Sequence, residues 1–314
     1  MVDLTRYLPG SFATRELLRL GARVVRLEAP DGDPVRAVSP EWDAALNTGK
    51  ESVVCDLKAE PEFGRALCSR ADVVLEGFRP GVAARLGVGA DDLPDRVVYC
   101  SLTGFGSEGS HARRAGHDLN YLGFAGALAD TAPALPPVQF ADLGAGGLAA
   151  VAEILAALLE RERTGRGARI ELSLTHGTHR FVAHRLGGDP LPRLLTGGSA
   201  CYGIYETADG RHLTVTALEP KFFRRLCQLI GREELIARQY DPAAQDEVAE
   251  ALAETFATKP LAAWLELFER EDVSVGPVLT LEEAAAELGT QPPTAPAPVL
   301  GEHTEFWRRE LLSS

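Results

Sequence analysis

The chain has 314 residues, enough for a large core shared between two lobes. Its formal net charge is −13, from 32 Lys and Arg against 45 Asp and Glu, which argues against nucleic acid as the main partner but leaves room for a local basic pocket on a small phosphate-bearing ligand. The five cysteines, Cys55, Cys68, Cys100, Cys201 and Cys227, are odd in number and widely spaced; they read as small buried apolar residues, not as a disulfide framework.

In chain order, the apolar pattern predicts a helix over 12–20, with Leu17, Leu18 and Leu20 inward and Gly21 ending it. Short strands are expected at 24–27, 52–57, 71–76 and 96–102, with helices at 62–69 and 82–86 between them. Such alternation predicts a mostly parallel sheet covered by helices, with ligands taken beyond the carboxyl ends of the strands. A long Ala-, Leu- and Glu-rich helix follows at 144–163, closed by Thr164-Gly165-Arg166-Gly167. A strand at 169–174 and a helix to about Leu186 complete the first lobe.

Residues 187–199 are loop-like, with Gly-Gly and Asp-Pro steps, and mark a boundary. A hairpin opens the second lobe, 202–207 and 211–217 around Ala208-Asp209-Gly210. Helices are expected at 221–230, 243–256, 261–270 and 281–288, and the Pro-rich stretch 291–298 reads as an extended linker returning to the first lobe. The expected division is 1–186 with 295–314 as the large domain, 187–198 as linker, and 199–294 as the small domain and return. The N-terminal residues lack a secretory apolar region, and no apolar run approaches the roughly 20 residues that span a bilayer, so a cytoplasmic protein with no membrane partner is expected.

Two patterns invite other chemistry. Gly104-Phe105-Gly106-Ser107-Glu108-Gly109 fits G-x-G-x-x-G after a strand, but no helix is predicted to open on it and the acidic residue about 20 positions on is missing. His176, His179 and His184 are close in sequence, but helical geometry puts only some of them on one face, so no metal site is expected.

Other stretches carry a resemblance. They are Asp3-Leu4-Thr5-Arg6 with Pro9-Gly10; Leu20-Gly21-Ala22 and Glu28-Ala29-Pro30 through Arg36; and Asn47 with Gly49-Lys50 and Asp56-Leu57-Lys58. Glu76-Gly77-Phe78-Arg79-Pro80-Gly81 with Arg85-Leu86-Gly87, Thr103-Gly104-Phe105-Gly106, Val275-Gly276-Pro277-Val278 and Leu300-Gly301-Glu302-His303-Thr304 continue the series. In this order they resemble the family III coenzyme A-transferases (CaiB/BaiF) and the alpha-methylacyl-CoA racemases that share their fold. Gly116-His117-Asp118-Leu119-Asn120-Tyr121, Ala141-Asp142-Leu143-Gly144 and Leu218-Glu219-Pro220 are similar to the racemase branch.

The resemblance implies an α/β fold: a large Rossmann-like parallel-sheet domain plus a smaller α+β domain, in an interlocked homodimer with the active site shared between chains. It implies racemisation at the carbon next to a thioester carbonyl, through an enolate. His117 and Asp142 would be the proton donor and acceptor on opposite faces, which requires their pKa values to be pushed towards each other. Glu219 would hold the imidazole tautomer, Asp118 would do something similar, and backbone N–H groups at the start of the 144–163 helix would receive the enolate oxygen. Arg36, Lys58, Arg79 and Arg85 would hold the phosphates of coenzyme A. Cys55, Leu57, Glu76, Gly104, Gly116 and Tyr121 would line its adenine and pantetheine path. Coenzyme A enters as part of the substrate, with no separate cofactor.

Each residue also has a plainer reading: Asp142 as a helix N-cap, His117-Asp118 as a surface turn, Glu219 as a strand-to-helix junction, and each cation as a solvated charge. The stretch 180–198 is shorter than the resemblance leads one to expect. The chain has Met1 as its only methionine where racemases line the acyl path with several, and Ser107-Glu108-Gly109-Ser110 replaces a Gly-Pro ending. Two alternatives follow: a coenzyme A-transferase with Asp142 as nucleophile, and a catalytically impaired acyl-CoA-binding subunit.

Overall fold

Residues 1–188 and 193–312 are described by the computed structural model. They fall into two units, Met1–Leu186 with Pro292–Ser314, and Gly187–Gln291. The larger unit runs β1 (Val2–Asp3), α1 (Leu8–Arg19), β2 (Val25–Glu28), α2 (Val35–Val38), α3 (Pro40–Asn47), β3 (Glu51–Val54), α4 (Pro61–Arg70), β4 (Val73–Glu76), α5 (Val82–Arg85), β5 (Val98–Thr103) and α6 (Asp118–Phe124). A stretch of wide π-helical turns, Ala141–Leu148, then leads straight into α7 (Ala149–Thr164), followed by β6 (Arg169–Ser173) and α8 (Leu174–Val182).

The six strands form one sheet in the order β3-β2-β1-β4-β5-β6, parallel throughout. All four residues of β2 and of β4 are buried, as expected of parallel strands covered on both faces. Proline at the start of α1 and α4 presets the first helical turn, and Gly165 at φ 71° closes α7. Chain order reverses between β1 and β4, so their carboxyl ends open a crevice.

The smaller unit holds β7 (Tyr202–Glu206), β8 (His212–Thr216), α9 (Pro220–Ile230), α10 (Gln245–Phe256), α11 (Leu261–Phe268), β9 (Val275–Pro277) and α12 (Leu281–Glu287). Its sheet is antiparallel, β7-β8-β9, over a core that includes Phe223, Phe256 and Trp264. The Trp264 indole N–H finds its partner inside that core, donating to the Phe256 carbonyl at 2.9 Å. The chain then returns to the larger unit and ends in α13 (Thr304–Leu312). There His303 Nδ1 and Thr304 Oγ1 accept from the Ser52 and Val54 amides at 3.2 and 2.9 Å, and Trp307 Nε1 donates to Glu51 at 2.7 Å, covering the outer edge of β3.

Several expectations change here. β1, α2, α3, α6, β9 and α13 were not predicted. The long helix begins at Ala141 instead of Gly144, and Ala141–Thr164 is a continuous 24-residue helix apolar and long enough by length and composition to cross a membrane, against the expectation of no such run. It packs Ala145, Ala150 and Ile154 into the core of the larger unit, while Leu148, Leu155 and Leu159 are 51, 43 and 75 % exposed.

Beside β1 and β2 lies a buried charge cluster. The fully buried Arg26 donates to Asp33 and Asp43, each at 2.9 Å. Arg36 forks onto Glu28 at 2.6 and 2.8 Å and reaches Asp43 at 3.2 Å and the Pro298 carbonyl at 2.8 Å. Its guanidinium is thus held by carboxylates of the scaffold. Lys50 donates to Thr14 Oγ1 and Asn47 Oδ1, both at 2.7 Å, and burial pushes its ammonium down to about 8.

Candidate active site

The crevice at the carboxyl ends of β1, β2 and β3 is a cleft of about 350 Å³. Leu4, Thr5 and Arg6 line it from β1, Ala29 to Asp33 from β2, Cys55 to Lys58 from β3, and Phe78 and Leu86 from the chain after β4. Of the expected coenzyme A contacts, Cys55, Leu57 and Lys58 are therefore together. Burial pushes the Cys55 thiol up to about 11, so it is an apolar wall and not a nucleophile at neutral pH. Arg79 and Arg85 stand outside the cleft wall, in the turn after β4 and at the end of α5. The side chains of Lys58, Arg79 and Arg85 are exposed and form no hydrogen bond or ion pair among the described residues. Glu76 does not line the cleft: it accepts from Ser101 Oγ at 2.5 Å and from the Phe78 amide at 2.6 Å, and so shapes the turn carrying Phe78. A larger open groove of about 980 Å³, walled by residues of β6, α7 and α8, contains neither His117 nor Asp142.

Gly104, Gly116 and Tyr121 are packed together. A β-carbon on Gly104 would fall 2.5 Å from the Tyr121 ring, and one on Gly116 would fall 2.8 Å from it. The ring therefore sits against both backbones, and its hydroxyl donates to the Gly116 carbonyl at 2.5 Å. This fixes the residue immediately before His117. The His117 amide donates to Asn120 Oδ1 at 3.1 Å, which closes the first turn of α6, while the side chain of His117 stays exposed.

Asp118, only 8 % exposed, decides how the loop meets the next element. Its Oδ1 accepts the Asp142 amide at 2.9 Å, and the Ala141 amide also bonds to its carboxyl group. Asp118 is thus the cap of the helix that begins at Ala141. The capping role that could have explained Asp142 belongs to Asp118, and Asp142 sits inside the first turn with no side-chain cap bond. The two amides so engaged, those of Ala141 and Asp142, are already taken up by the Asp118 carboxylate. The π turns that carry Asp142 are wedged in place: a β-carbon on Gly146 would fall 2.1 Å from Leu174. Stretches of π-helix are rare and cluster at functional sites.

The Asp142 carboxyl is pushed up to about 7, chiefly by burial and secondarily by the Asp118 charge. Burial also raises Asp118, against the amides that bond to it. An aspartate that changes charge near neutrality, one hydrogen bond away from a residue adjoining an exposed imidazole, can give or take a proton at physiological pH.

In the smaller unit, Glu219 precedes Pro220 at the start of α9. The Leu218 carbonyl before it accepts from Gln239 Nε2 at 2.8 Å and from the Tyr240 hydroxyl, which holds the turn. The Glu219 carboxylate itself is exposed, makes no side-chain cap bond and has no ion pair among the described residues. One residue escaped the sequence analysis. Tyr7 follows β1 with φ 65° and ψ −161°, a region that costs a non-glycine residue on the order of 1–3 kcal/mol. Its ring lies 6.2 Å from that of His117. Its only signal in the sequence was its position directly after Asp3-Leu4-Thr5-Arg6.

A model of CoA-transferase family III matches residues 1–304. The human alpha-methylacyl-CoA racemase is 36 % identical over 304 residues, covering 90 % of this chain and 77 % of that protein. The acetyl-CoA:oxalate CoA-transferase of Acetobacter aceti is 32 % identical, covering 91 and 81 %. Among solved structures, a CaiB/BaiF family protein from Brucella suis superposes with a TM-score of 0.82 at 27 % identity, covering 99 % of this chain and 97 % of that one.

Proposed function

This chain belongs to CoA-transferase family III, and from that premise we propose that it racemises or epimerises acyl-CoA thioesters at the α carbon by 1,1-proton transfer. The observation that carries the reading is the Asp142 carboxyl, pushed to about 7 by burial beside Asp118. In one direction the His117 imidazole removes the α proton. The C–H electron pair moves into the thioester as an enolate, and Asp142 delivers its proton to the opposite face. The reverse direction exchanges the roles, which an acid poised near neutrality permits. Lys58, Arg79 and Arg85 neutralise the phosphates of coenzyme A. Asp118 holds the helix of Asp142 and keeps its proton affinity high. Similarity to racemases at 36 % identity supports the same reading.

A homodimer is part of this proposal. The exposed Leu148, Leu155 and Leu159 form an apolar stripe that a second copy would cover, and Glu219 of one copy would orient His117 of the other.

The competing reading is a transferase in which Asp142 attacks the thioester as a nucleophile. Similarity to the oxalate transferase favours it. One experiment separates the two: a single enantiomer of a 2-methylacyl-CoA in heavy water, followed by NMR at the α position. Deuterium uptake with loss of optical purity is expected, and Asp142→Asn should lower it by about 10²–10⁴-fold. No uptake in the intact protein, with coenzyme A appearing on an added carboxylic acid, would sink the racemase reading.

A further inference from the structure

Tyr7 has no part in the chemistry above, yet its backbone is held at φ 65° and ψ −161°, where only glycine moves freely. The conformation is fixed from both sides. The Tyr7 amide donates to Asp33 Oδ2 at 3.0 Å, the same oxygen that takes Arg26 at 2.9 Å within the buried charge cluster. On the other side Pro9 opens α1, and Gly10 is pressed against Thr5, where a β-carbon would fall 2.2 Å from its hydroxyl.

This costly arrangement fills no core, since Tyr7 is 48 % exposed. What it sets is the direction of one ring. The phenol stands perpendicular to the His117 imidazole, with centroids 6.2 Å apart and planes at 90°. His117 itself is anchored only through its backbone, by Asn120 and by the Gly116 carbonyl before it. No described side chain hydrogen-bonds its ring.

We infer that Tyr7 is a positioning residue for His117. A backbone braced by the charge cluster holds an aromatic wall that restricts rotation of the imidazole and aims one ring nitrogen at the α carbon. The consequence for turnover rests on the racemase reading, whereas the consequence for the imidazole does not.

The test compares Tyr7→Gly and Tyr7→Phe with the parent protein. Glycine relieves the backbone and removes the wall, so thermal stability should hold or rise while kcat falls about tenfold and KM changes less than about twofold. The His117 ring-proton resonances, assigned with His117→Gln, should move as the neighbouring ring current disappears. Tyr7→Phe should restore both kcat and the resonances, because the wall and not the hydroxyl is at work. Unmoved His117 resonances in Tyr7→Gly would overturn the inference, whatever happens to kcat. Should the glycine variant fail to fold, Tyr7→Leu gives the same reading of the resonances without the aromatic ring. Absence of α-proton exchange in the parent would refute the racemase reading alone, and the resonances would still decide the role of Tyr7.

Discussion

The larger unit gathers carboxylates in two places, and the neighbours treat them differently. Around Arg26, the carboxylates of Glu28, Asp33 and Asp43 lie within 3.6 Å of a guanidinium that is itself fully buried, and Arg36 adds a second fork. Around Asp142, the nearby charge is another carboxylate, and among the described residues neither Asp118 nor Asp142 has an ion pair. In the first arrangement every carboxylate is paired with a guanidinium, and it becomes scaffold. The second has no cation paired with it, and so yields a group whose proton is exchangeable at neutral pH. Burial alone does not distinguish reactive from structural aspartates in this chain; the supply of cations does.

The sharpest way to break that contrast is to remove a cation from the scaffold. Arg26→Met should strand Asp33 and Asp43 and cost on the order of 3–5 kcal/mol in urea unfolding. A loss below about 1 kcal/mol would mean that the cluster is not held by compensation.

A smaller effect is expected at Asp142, with the opposite sign. Its folded value of about 7 lies above the ordinary 3.8, so its contribution to stability is present at low pH and is lost as pH rises through 7. At pH 8 the wild type keeps a buried, uncompensated charge. Asp142→Asn should therefore melt higher than the wild type at pH 8 and match it near pH 4, while being inactive. Equal melting at both values would place Asp142 in a better-solvated setting than described. The smallest effect is that of Asp118→Asn. Asparagine still accepts the Ala141 and Asp142 amides, so melting should change little. The pH–rate limb assigned to Asp142 should fall by less than about one unit, because burial is the larger cause of its shift. A larger fall would make like-charge repulsion the dominant cause.

Much of this was legible in the sequence, and the illegible parts share a cause. The apolar runs of β2 to β6 and the long helix announced a parallel sheet, because buried strands and helices must be apolar at fixed periods. β1 did not, since two residues carry no period, and neither did α6, whose seven residues contain Gly123 and start on a charge. His117, Asp118 and Asp142 stood out through the resemblance of their motifs to the racemase branch. Their relationship did not, because the bond from the Asp142 amide to Asp118 spans 24 positions. The ion pairs of Arg36 were hidden for the same reason: its partners Glu28 and Asp43 are on flanking elements, and the direction of a side chain is not written in its neighbours. Tyr7 was invisible because nothing in a residue's identity reveals a left-handed backbone.

The return of the C-terminal segment to β3 has a consequence for how the chain comes off the ribosome. The contacts of His303 and Thr304 with Ser52 and Val54 span about 250 positions. The smaller unit has all its residues once Gln291 has emerged, whereas the larger one, begun earlier, lacks the cover on its outer strand until Trp307 has emerged. Of the two units, the one begun first is thus sealed last. Until then, the uncovered edge of β3 is open to strand pairing with neighbouring nascent chains on a polysome.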